Sequence, residues 1–64
     1  MKRKEIKNLA KKIGEQELII KNADDPKVIA RAQDLITELG AKVESFEDMI
    51  MLDEAIQDFL NKNF

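Results

Sequence analysis

Apolar residues recur along this chain at helical rather than strand spacing, and the cleanest stripe lies in its middle. Ile29, Ala32, Ile36, Leu39 and Val43 follow one another at intervals of three and four, so they share one face of a helix. Asp24 and Asp25 precede Pro26, which places a carboxylate where unpaired backbone N–H groups need an acceptor and proline at the first helical position. Together these predict a helix over 26–43. Gly40 falls inside it and is read as a point of close helix approach, because the last apolar layer needs Val43. A C-terminal cap at Gly40 is the alternative.

Upstream, Ile6, Leu9, Ala10, Ile13 and Ile20 share a face and predict a helix over about residues 3–22. Gly14 lies within it, at a cost of roughly 1 kcal/mol relative to alanine. The turn at 22–25 is short, so the two helices should fold back antiparallel. Counting outward from that turn opposes Ile20 with Ile29, Ile13 with Ile36, Leu9 with Leu39 and Ile6 with Val43. One layer is polar: Gln16 and Glu17 face Ala32, with Arg31 beside it as a partner for Glu17. A third helix, about 46–61, starts at Ser45, whose hydroxyl is placed to cap the backbone N–H of Asp48. Its stripe of Met49, Leu52, Ile56, Phe59 and Leu60 is out of phase with the one ending at Val43, which disfavours a single long helix. The expectation is an all-α fold, an antiparallel helical hairpin plus a third helix in a small three-helix bundle, forming one domain over 1–64 with no strands.

Composition qualifies this picture. At 64 residues, 44% hydrophobic and 38% charged, the chain reads as globular, yet it is too short to bury a large core. It has no cysteine or histidine, and three phenylalanines are the aromatics expected to serve its core. With no disulfide or zinc staple available, stability must come from helix packing or from association with another chain, most simply a homo-oligomer. No apolar run has the length of a signal peptide or a membrane span, so a cytoplasmic location and no membrane partner are expected.

Charge is distributed unevenly. Lys2, Arg3, Lys4, Lys7, Lys11 and Lys12 stand against Glu5 at the start, a local charge of about +5. Cations there oppose the helix dipole by roughly 0.3–1 kcal/mol each in the first turn. From Glu38 to Asp58 the balance reverses, with seven acidic residues against Lys42. Parallel packing of the first and third helices would bring Glu44, Glu47 and Asp48 toward Lys2, Lys4 and Lys7 and compensate the cations.

Candidate chemistry is sparse. Without histidine or cysteine, Ser-His and Cys-His nucleophile pairs are excluded. Glu44, Glu47 and Asp48, and the adjacent Asp53 and Glu54, lack the alternating oxygens and turn glycine of a calcium loop, and are read as solvated helix surface. Gly14 and Gly40 are isolated and form no phosphate loop. A non-enzyme without cofactor or metal is expected.

Two stretches resemble known families. Leu39-Gly40-Ala41 followed by Glu44-Ser45-Phe46 is similar to the Leu-Gly-Ala-Asp-Ser-Leu stretch of acyl carrier proteins, which would make Ser45 the carrier of a phosphopantetheine arm. Lys42 and Val43 interrupt that pattern, Glu and Phe replace Asp and Leu, and the helix-capping role of Ser45 is the reading adopted. The lysine-rich first helix, Asp24-Asp25-Pro26-Lys27, Ser45-Phe46-Glu47-Asp48-Met49 and Asp53-Glu54 resemble small helical proteins encoded by tailed marine bacteriophages. This resemblance implies an accessory protein acting in an infected cell and no specific activity.

The functional expectation is therefore a non-catalytic protein-interaction or self-associating module. Association with nucleic acid through the basic first helix is the alternative, disfavoured by a net charge of -2 and by the lack of interleaved aromatics. Leu18, Ile19, Ile50 and Met51 fall outside the stripes and form the candidate partner surface. Lys4, Lys7 and Lys11 with Glu47, Glu54 and Asp58 form the candidate electrostatic face.

Overall fold

The computed structural model describes residues 1–63, and among them it contains three helices and no strand: α1 Arg3–Asn22, α2 Pro26–Gly40 and α3 Phe46–Asn63. The starts of α2 and α3 follow the capping chemistry. Asp25 accepts a hydrogen bond from the Lys27 backbone N–H at 2.9 Å, and the Ser45 hydroxyl oxygen accepts one from the Asp48 N–H at 3.1 Å.

The expected run of α2 to Val43 does not occur. Backbone bonds from Lys42 N–H to the Leu39 carbonyl (3.3 Å) and from Val43 N–H to the Gly40 carbonyl (3.2 Å) tighten the chain into a turn, so that α3 can return along α1. Of the two readings of Gly40, the stop is the one that holds, since α2 ends there, although not as a left-handed glycine cap. A side chain there would meet nothing within 4 Å, which removes close approach, and no glycine has a positive φ, which removes the left-handed cap. Val43 nevertheless reaches its expected place, buried with Ile6, Leu9, Ala10, Ile13 and Leu52. A loop residue thus completes the layer assigned to helix.

The real point of close approach is Gly14. A Cβ at that position would lie 2.6 Å from Cε1 and 3.1 Å from Cγ of Phe59, and closer still to Cδ1, so the Phe59 ring occupies the space a side chain would need. The helix-propensity cost of Gly14 admits an aromatic ring against the α1 backbone. Phe59 is half-buried, whereas Phe46 is 77% exposed and no part of the core. Phe64, the third phenylalanine expected to serve the core, lies outside the described residues.

Parallel packing of α1 and α3 is set at one end by the Met1 amino group, 3.1 Å from an Asp48 carboxylate oxygen, and further along by Gly14 against Phe59. The Asp48 carboxyl is held below the usual carboxylate range, first by the hydrogen bond from that amino group and then by the Ser45 hydroxyl. A depressed folded-state value means that this stabilisation is complete above the unfolded value of about 4 and is lost as pH falls below it. Thermal midpoints measured from about pH 5 down to pH 2 should therefore fall more steeply for the wild type than for Asp48→Asn.

Helix α1 is the centre of the molecule. Both α2 and α3 pack on it, but no Cα of α2 comes within 8 Å of one in α3. The extents of 34 × 24 × 15 Å fit this arrangement. Three helices side by side at 8–10 Å spacing would span about 23 Å in Cα positions. The fold is all-α and bundle-like, but opened along the seam between α2 and α3.

Candidate functional site

The open seam forms a cleft of about 320 Å³. Its floor is Ile13 and Glu17 on α1; its walls are Ile36 and Gly40 on α2, and Met49, Leu52, Asp53, Ile56 and Gln57 on α3. Helical spacing explains the lining. Met49, Leu52, Asp53 and Ile56 stand three or four positions apart, as do Ile36 and Gly40, so each wall presents one face of its helix. Met49 is 52% exposed at the rim, whereas Leu52 is buried at the base. Among the described residues the only charged ones lining the cleft are two acids, Glu17 and Asp53. Among the described residues neither has an ion pair or hydrogen bond. Glu17 is half-buried nonetheless, and its expected partner Arg31 is exposed and makes no pair with it.

The four candidate partner residues do not form one surface. Ile19 and Ile50 are exposed, at 41% and 45%, as expected. Leu18 is only half-buried, one turn beyond Gly14 on the side of α1 that meets α3. Met51 corrects the expectation most clearly: it packs against the core, while Met49, assigned to the core stripe, is exposed. The reason is the face α3 turns to α1, which runs through Asp48, Met51, Leu52, Ala55 and Phe59, about a fifth of a turn from the stripe read in sequence. Parallel packing also places Ile50 and Met51 near the start of α1, roughly 20 Å along its axis from Leu18 and Ile19.

The candidate electrostatic face is assembled in part. Arg3 and Lys7 line a shallow depression with Met51, Glu54 and Asp58, and Lys7 and Lys11 line its continuation with Asp58, Phe59 and Lys62. Among the described residues no carboxylate lies within ion-pair distance of Lys4, Lys7 or Lys11, and Lys4 lines neither depression. Glu47 is exposed and lines neither of them. Changing Lys4, Lys7 and Lys11 together to glutamine should therefore lower stability by less than about 1 kcal/mol, with a larger loss at low salt. Urea unfolding at two ionic strengths measures this.

What sequence reasoning missed is the cleft itself. Its signal was on α3, where apolar residues from Met49 to Ile56 extend beyond the face that meets α1. Among the described residues no group of three acids gathers as a metal-holding cluster, and no helix is long and apolar enough to cross a membrane. Comparison with known proteins yields no matching family model, no matching curated protein and no matching solved structure.

Proposed function

We propose that this protein is a small non-catalytic accessory module that works by binding another protein chain through the cleft between α2 and α3. One observation carries the reading: two helices pack on α1 without packing on each other, leaving Ile13, Ile36, Met49 and Ile56 around an open trough. A core this small gains stability when another chain covers such a surface. Met49 supplies adaptable apolar contact at the rim, and Phe46, 77% exposed and three positions before it on α3, adds apolar surface next to it in sequence. The nucleic-acid alternative draws less support, since Lys7 and Lys11 share their depressions with Asp58.

Affinity capture from the native cell, combined with sedimentation across concentration, tests the proposal. Met49→Lys should abolish association while keeping the helical far-ultraviolet spectrum, and Ile19→Lys and Ile50→Lys should leave it intact. Association indifferent to Met49→Lys but lost with Ile19→Lys or Ile50→Lys would overturn it.

A further inference from the structure

Resting on that reading, we infer that the occupant of the cleft is a basic amphipathic helix of a different protein. Shape selects a helix. The cleft is lined by all three helices, and its Met49–Ile56 wall spans two turns, about 10 Å, the length of two turns of an incoming helix. Apolar residues at i, i+3 or i+4, and i+7 of an incoming helix would meet Ile13, Ile36, Met49 and Ile56, the helix-in-groove mode of recognition.

Charge selects its sign. Among the described residues Glu17 and Asp53 are the only charged ones lining the cleft, and neither has a partner there. Covering them with an apolar or acidic helix would strip water from carboxylates without replacing its hydrogen bonds, which costs free energy. Lysine or arginine flanking the apolar stripe would supply those bonds. The same acids disfavour nucleic acid and anionic lipid, whose phosphates they repel. They disfavour a second copy as well: cleft against cleft would set Glu17 and Asp53 of one copy toward those of the other. The lysine face of α1 in a second copy is no better occupant, because Lys7 and Lys11 border α3 of their own chain, in depressions shared with Met51, Asp58 and Phe59.

The probes are two fluorescent 14-residue peptides with leucine at helical i, i+3, i+4 and i+7 spacing, one carrying lysine and the other glutamate at the polar positions. Binding is followed by anisotropy and located by methyl resonances. The lysine peptide should bind at least about tenfold more tightly and shift the methyls of Met49 and Ile56 but not those of Ile19 or Ile50. Glu17→Gln with Asp53→Asn should weaken lysine-peptide binding by about tenfold. Met49→Lys should abolish it. Equal affinity for the two peptides at the cleft would overturn the inference and leave the cleft as an interaction surface. Self-association that Met49→Lys removes, in place of peptide binding, would do the same. Cleft methyls unmoved by either peptide would overturn both.

Discussion

Replacing Ile6 by alanine should bring the protein close to unfolding at room temperature. Ile6 is 2% exposed, the most completely buried large side chain, and it packs among Leu9, Ala10, Val43 and Leu52. Cutting such a residue to alanine costs about 2–5 kcal/mol in lost transfer energy and residual cavity. A single core in a chain this short supplies only about 3–5 kcal/mol. The loss is therefore comparable to the whole. Urea unfolding followed by far-ultraviolet dichroism should show the folded baseline shortened or absent for Ile6→Ala, while Ile50→Ala, on the exposed face of α3, stays within about 0.5 kcal/mol of wild type. Similar midpoints for the two variants would place the core elsewhere.

The two helical glycines should respond to alanine with opposite signs. Alanine normally gains about 1 kcal/mol over glycine inside a helix. At Gly40 the new methyl meets nothing within 4 Å and φ is not positive, so up to about that gain is expected. At Gly14 it would overlap the Phe59 ring, and forced overpacking costs about 1–3 kcal/mol. The expected net result is destabilisation by about 1–2 kcal/mol. Removing the ring should reverse the sign, so that in a Phe59→Ala background Gly14→Ala becomes neutral or stabilising. A double-mutant cycle in urea measures this coupling directly. Additive effects would show that the ring does not rest on Gly14.

The starts of α2 and α3 were legible because capping is local chemistry. Asp25 before Pro26 and Ser45 three residues before Asp48 act within one turn, and both bonds form. The end of α2 was legible only as a choice between Gly40 and Val43, because it answers to a tertiary demand: the chain turns after Gly40 so that α3 can run beside α1, and Val43 enters the core from the loop. The α1 stripe was read correctly at Ile6, Leu9, Ala10 and Ile13, since a central helix buries a wide face. The α3 stripe was read correctly at Leu52, Ile56 and Phe59 but misplaced by about a fifth of a turn, exchanging Met49 with Met51, because that helix packs on one neighbour only and its sequence carries apolar residues on the cleft side as well. Periodicity records which residues are apolar together. It does not record whether a neighbouring helix of the same chain covers them.

The absence of cysteine from the chain makes thiol footprinting the most direct test of an interaction cleft between α2 and α3. Single variants Met49→Cys, at the cleft rim, and Ile50→Cys, pointing outward, are labelled with a maleimide in the dilute isolated chain and in the cell of origin. Both should react readily when isolated, and Met49→Cys alone should be protected in the cell. Ready labelling of Met49→Cys in the cell, with Ile50→Cys protected instead, would contradict it.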